Sequence, residues 1–200
     1  MAFVNLLLVH REVPDAQLFV DSVNERTCAV LYSTETTQEE LMRLILEKTT
    51  SAERIGFVSR KTDLFVEGRS FLDSKEVLVS LKNDLGTTHM DFLACDTLND
   101  PSWKDFYDSL EGIVVVGASA DRTGNLKYGG NWLMESTMED VDTVYFTSSI
   151  EYYQYLLDPG SIHILIVKQD GLYAFGYNAY NQCGIAMNEV WTDVYCEFLP

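Results

Sequence analysis

The sequence predicts an α/β fold: a mostly parallel sheet with helices on both faces, followed by a smaller C-terminal β-hairpin unit. Three observations carry that prediction. Short β-branched or leucine-rich runs alternate with longer stretches of helical periodicity through the first two thirds of the chain, the pattern of successive βαβ units. The run Ile113-Val-Val-Val-Gly117 is apolar without alternation, as expected of a strand covered on both faces. After Ser136 the texture changes to acidic and then to a hairpin pattern around Gln169-Asp-Gly171.

The elements follow in order. Phe3 to Val9 reads as the first strand, and Pro14 to Val23 as a helix opened by a proline suited to its first turn. Cys28 to Tyr32 is the second strand. Thr37 to Leu46 begins with a capping threonine and an acidic first turn, and it lines up Leu41, Leu44 and Ile45 on one face. Arg54 to Ser59 is the third strand and Leu64 to Glu67 a short extended piece; Asp73 or Ser74 caps a helix running to about Asn83. Met90 to Cys95 is the fourth strand. Pro101 to Leu110 is a helix whose buried stripe is Trp103, Phe106, Tyr107 and Leu110, and the fifth strand follows.

Gly124, Gly129 and Gly130 with Tyr128 and Trp132 suggest a hairpin that closes the domain near Ser136. The expected organisation is therefore an α/β domain over 1–136, an acidic linker with a short helix over 137–160, and a β unit over 161–200. In the last of these, strands Ile162 to Val167 and Leu172 to Phe175 flank the turn.

Composition narrows function. Hydrophobic residues make up 46% and charged residues 22%, so the chain is expected to fold rather than stay disordered. The formal net charge is −17, from 31 acidic and 14 basic residues, which repels phosphate backbones and anionic lipid. No direct nucleic-acid contact and no membrane insertion are expected. The four cysteines, Cys28, Cys95, Cys183 and Cys196, have neither zinc-site spacing nor the density of a disulfide scaffold, which points to an intracellular, reducing compartment. The acidic loop Asp96, Asn99, Asp100, Asp105 and Asp108 lacks the spacing of a calcium loop, and no phosphate-binding glycine loop is present. Neither a metal nor a cofactor is expected.

Two stretches carry a family resemblance. Val13-Pro-Asp15, Ile55-Gly-Phe-Val-Ser59, Phe92-Leu-Ala-Cys95-Asp96, Val115-Val-Gly-Ala-Ser119, Thr123-Gly124 and Gly129-Gly-Asn-Trp132 together resemble a bacterial domain of unknown function related to caspases and gingipains, which stands at the front of large repeat and cell-surface proteins. The resemblance spans residues 3–135 and implies a caspase-like or flavodoxin-like sheet. In that family the third strand ends in Ser-His-Gly and the fourth in Gly-Cys, which implies a base and a thiol on neighbouring strand ends. Here the corresponding residues are Ser59-Arg60-Lys61 and Ala94-Cys95-Asp96. The thiol is kept and the base is lost, because a guanidinium stays protonated and offers no acceptor.

His10, after the first strand, is the one histidine expected on the same rim as Cys95. His89 lies six residues before Cys95 along the same strand, roughly 20 Å away at about 3.3 Å per residue. Cys95 is read either as a vestigial nucleophile or as a small packing residue; Arg60 and Lys61 are either solvated rim cations or a partner contact.

The second resemblance is Asp170-Gly-Leu-Tyr-Ala-Phe-Gly176-Tyr-Asn178 with Gln182-Cys-Gly184, similar to a degenerate regulator-of-chromosome-condensation propeller repeat over 161–184. It implies binding positions at Tyr177, Asn178 and Tyr180. Propellers need about four to eight blades, so a single repeat implies packing on a neighbour. The expectation from both resemblances is a non-enzymatic pseudoenzyme, a scaffold or structural subunit in a larger protein assembly. A viral particle, a cytoskeletal assembly or a homo-oligomer would each fit. The alternative is a cysteine peptidase using Cys95 with His10 or with a base supplied by a partner.

Overall fold

The computed structural model of the chain describes residues 4–157 and three strands beyond them, 163–168, 171–176 and 196–197. It divides into two compact units, Met1–Asp158 and Pro159–Pro200. In the first, β1 (Asn5–His10), β2 (Thr27–Tyr32), β3 (Arg54–Val58), β4 (His89–Leu93) and β5 (Val115–Ala118) form one sheet in the order β2-β1-β3-β4-β5. Every pairing in it is parallel. The α/β fold read from the sequence is the fold of this unit.

One face of the sheet is covered by α2 (Gln38–Leu46), α3 (Lys75–Leu85) and α4 (Pro101–Ser109). Leu6, Leu8, Ile55, Phe57, Met90 and Phe92 pack there against Leu41, Ile45, Leu78 and Trp103. The helix starts obey their caps: Thr37 Oγ1 accepts the Glu40 N–H at 3.1 Å, and Asp100 Oδ1 accepts the Ser102 N–H at 3.0 Å. At α3 the Ser74 hydroxyl donates instead to the Ser70 carbonyl at 2.6 Å. Gly86 ends that helix at φ 72°, a left-handed conformation that glycine adopts without strain.

On the other face the first helix is α1 (Ala16–Asp21), shorter than the Pro14–Val23 span expected, because Asp15 just before it takes a left-handed φ of 54°. A six-residue helix cannot cover five strands. The remainder is covered by the stretch expected to be an acidic linker. Residues 137–157 hold β7 (Glu139–Asp140), paired with β6 (Leu133–Met134), then α5 (Asp142–Tyr145) and a 3₁₀ turn over Ser148–Tyr152. Trp132, Val141, Tyr145, Phe146, Ile150, Tyr153 and Leu157 pack on Leu7, Val9, Phe19, Val58 and Leu93. The first unit therefore extends through Leu157 rather than closing near Ser136. The acidic residues Glu139, Asp140 and Asp142 stand outside that layer and mask its apolar residues in a composition scan.

A row of residues across this second face is in register: Leu7, Gly56, Asp91 and Gly117 on β1, β3, β4 and β5. Asp91 is fully buried and accepts hydrogen bonds from Arg54, with Nη2 to Oδ1 at 3.0 Å, and from the Tyr145 hydroxyl. Arg54 also donates to Glu139 at 2.7 Å. The two glycines leave the room this needs. A Cβ on Gly56 would meet Tyr145 Cζ at 2.8 Å, and one on Gly117 would fall on Asp91 Oδ1.

In the second unit β8 (His163–Lys168) and β9 (Gly171–Gly176) form an antiparallel hairpin, with β10 (Cys196–Glu197) on the far side of β9. The expected strand pair is present there, in the register that joins Lys168 to Gly171.

Candidate functional site

In a sheet of order β2-β1-β3-β4-β5 the chain direction across the sheet reverses between β1 and β3, and sheets of this kind place their sites beyond the carboxyl ends of the strands near such a reversal. Three loops meet at this rim. His10-Arg11-Glu12 follows β1, Ser59-Arg60-Lys61 follows β3, and Ala94-Cys95-Asp96 follows β4.

Cys95 is buried and held on both sides by one residue. Its Sγ accepts the Thr123 N–H at 3.2 Å and donates to the Thr123 carbonyl at 3.5 Å. Its own N–H donates to the Leu157 carbonyl at 3.2 Å. Asp96 takes a left-handed φ of 57°, which turns the chain off the sheet at this point. Asn99 stabilises that turn by donating to Asp96 Oδ1 at 2.7 Å. A cleft of about 380 Å³ opens beside the thiol, lined by Lys61, Cys95, Asp96, Asp121, Arg122 and Gly129. Two hydroxyls in this region, Thr123 Oγ1 and Tyr153 OH, are buried with no hydrogen-bond partner among the described residues.

Arg60, just beyond the end of β3, is spoken for. Its guanidinium donates to Asp63 Oδ1 at 2.8–2.9 Å and lies 3.7 Å from Glu12. Its backbone N–H donates to Asp63 Oδ2 at 2.8 Å. Lys61 lies 3.7 Å from the Asp100 carboxylate. Both rim cations thus face carboxylates of their own chain.

His10 does not reach Cys95. It continues the Leu6–Leu8 side of β1, and its ring packs edge-on against Tyr32 at 5.1 Å. Cys95 belongs to the cluster on the opposite face. Alternation along β1, together with the intervening strand β3, separates the two groups that the peptidase alternative needs side by side. The imidazole is fully buried. Nδ1 accepts the Glu12 N–H at 3.4 Å, so Nε2 donates to Thr34 Oγ1 at 3.2 Å. His89 stands at the opposite end of β4. Tyr177, Asn178 and Tyr180 lie outside the described residues.

The groups that sequence reading missed are Glu12, Asp63 and Thr34. A ring nitrogen of His10 and one carboxylate oxygen each from Glu12 and Asp63 lie within 4.8 Å of one another. That donor set suits a divalent cation, but the positive charge at this place is Arg60. The only sequence trace of the arrangement is the Arg60–Asp63 spacing of three, which fits a tight turn.

Burial pushes the His10 pKa below its ordinary value of 6.5, and nearby Arg60 adds to the shift. Asp63 and Glu12 oppose it without reversing it. A depressed histidine binds its proton more readily when unfolded. Its contribution to stability is therefore complete above 6.5 and is lost as pH falls from there towards the folded-state value. Urea unfolding across this window should show a loss of stability on acidification that is flattened in His10→Gln; equal slopes for the two proteins would refute it.

Fold and site together define an open, parallel α/β protein with a thiol-lined cleft at its carboxyl rim and an arginine–carboxylate cluster beside it. The chain belongs to the family described as a domain of unknown function (DUF4347), which residues 6–157 match. That span ends where the second-face layer ends, at Leu157. No curated protein and no solved structure matches the chain.

Proposed function

We propose that this protein is a non-enzymatic interaction module, a pseudoenzyme of caspase-like descent that serves as a subunit or scaffold in a larger protein assembly. The observation that carries this reading is the place of Arg60. The residue beside the thiol strand is a guanidinium locked to Asp63, which cannot take a proton from Cys95. His10 faces away from that thiol across the sheet. A buried thiol held between the N–H and carbonyl of Thr123 suits packing better than attack on a carbonyl carbon.

In this reading residues 161–200 supply a docking surface built from one propeller-type repeat. The antiparallel hairpin of β8 and β9 is the start such a repeat has, and a single repeat leaves its faces for a neighbouring chain. The strongly negative charge favours protein partners over nucleic acid or membrane surfaces.

The test has two arms. Hydrolysis of a mixed peptide library by purified protein should be no greater than that of Cys95→Ala, and an iodoacetamide-type probe should label Cys95 no faster than an unactivated thiol; Cys95-dependent hydrolysis would overturn the proposal. Light scattering on the native protein, with mass spectrometry of what co-purifies, should show a stable complex that is lost on deleting residues 161–200. A monomer without partners would count against it.

A further inference from the structure

The first unit carries a second feature, whose lining shares no residue with the thiol-lined cleft and which the proposed function does not use. A groove of about 1020 Å³ lies between α2 and α3, with Thr37, Gln38 and Glu67 at one end. Helix α2 has two apolar stripes. Leu41 and Ile45 are buried against the sheet, whereas Met42 and Leu46, one turn apart, line the groove. Leu46 is 51% exposed and stands beside Met42, so the groove offers a continuous apolar contact rather than a lone surface leucine.

The rim around those two side chains is acidic. Glu39, Glu47, Glu67 and Asp84 line the groove against a single cation, Arg43. Arg43 is itself paired with Glu47 one turn on. Glu67 lies 3.2 Å from Arg69; among the described residues Asp84 accepts only the Ser80 hydroxyl, at 3.0 Å, and Glu39 has no ion pair. The groove therefore presents apolar contact between surplus carboxylates.

We propose that this groove is the docking site for a basic amphipathic helix of a partner protein, with leucine-type side chains on Met42 and Leu46 and lysine or arginine side chains against Glu39, Glu47 and Asp84. The size fits. The nine residues of α2 give a wall about 14 Å long at 1.5 Å per residue, enough to flank roughly two turns of a helix. A volume near the top of the small-ligand range, in an open trough, suits a helix face better than an enclosed ligand. Charge selects the class of partner: a nucleic acid or an anionic lipid is repelled by the carboxylate rim, and a second copy of this chain brings another net −17.

This inference rests on the interaction-module reading and deepens it, and the two fail separately. Cys95-dependent hydrolysis sinks the module reading and leaves the groove untouched. The groove is tested by fluorescence anisotropy on the full chain, using a labelled synthetic helix of alternating leucine and lysine faces as the probe.

Saturable binding that weakens with salt is expected, and Glu39→Lys/Asp84→Lys should weaken it by roughly tenfold or more, the loss of two opposed charge contacts. Leu46→Ser should weaken it while leaving the salt dependence in place. Asp108→Lys/Glu111→Lys, an equal charge change on exposed residues outside the groove, should have little effect. Circular dichroism confirms that each variant folds. Absence of saturable binding, or equal losses from both charge-reversed pairs, overturns the proposal. So does light scattering that shows self-association abolished by Glu39→Lys/Asp84→Lys, since the groove's occupant would then be a second copy.

Discussion

Replacing Asp91 by alanine is expected to cost about 3–5 kcal/mol of folding stability, the range for removing one partner of a buried ion pair. The carboxylate is fully buried, and the Arg54 side chain beside it is only 11% exposed. Without Asp91 the guanidinium keeps just Glu139, which stands 43% exposed at the edge of the network. The Tyr145 hydroxyl loses its acceptor as well. Burial, reinforced by the neighbouring carboxylate, holds that phenol far above its ordinary pKa, so it stays a donor with nothing to donate to. For a domain whose total stability is on the order of 5–15 kcal/mol, such a loss is a large share. Glu139→Gln, at the exposed end, should cost less than about 1 kcal/mol. Urea unfolding of both variants checks the pair, and a loss below that of Glu139→Gln for Asp91→Ala would show that the network does not hold the second face.

Gly117→Ala is expected to cost about 3 kcal/mol, at the upper end of overpacking penalties, although it adds a single methyl group to a strand. The demand is for space, not for an unusual backbone. The new Cβ would land on Asp91 Oδ1, and that carboxylate cannot step aside while Arg54 and Tyr145 hold it. In the Asp91→Ala background the same methyl meets an empty position, so most of its cost should vanish. A double-mutant cycle should therefore return a coupling of about 2 kcal/mol. Additive losses would mean that Gly117 is required for some reason other than the carboxylate across from it.

Each half of the candidate site was legible to a different degree. The motifs after β3 and β4 were placed correctly at strand ends, because an apolar run ending in a polar or cysteine step marks where a parallel strand leaves the core; that the two strands are neighbours came only from the resemblance. That the residue after Ser59 is an arginine needed only the sequence. Where that guanidinium goes, to Asp63 and Glu12, depends on how two loops fold over the rim. The pairing of Cys95 with His10 looked open because both follow strands of the same sheet. It fails on side-chain direction, which is set by the alternation of β1 and by packing on Tyr32.

What the sequence determined by itself was the set of elements and the class of fold: strand and helix periods are local, and caps such as Thr37 and Asp100 act within a few residues of where they stand. It also determined the arginine at position 60 and the acidic character of the chain, with its net charge of −17. Tertiary structure alone decided the rest. Strand order, and with it the reversal between β1 and β3, depends on pairings between distant segments. The supposed linker became the second layer of the core because α1 is too short to cover five strands, and apolar surface left open on the sheet has to be buried by whatever chain follows. Gly56 and Gly117 reveal their purpose only when β3, β4 and β5 come into register around Asp91, since the room they leave is filled by residues far away along the chain.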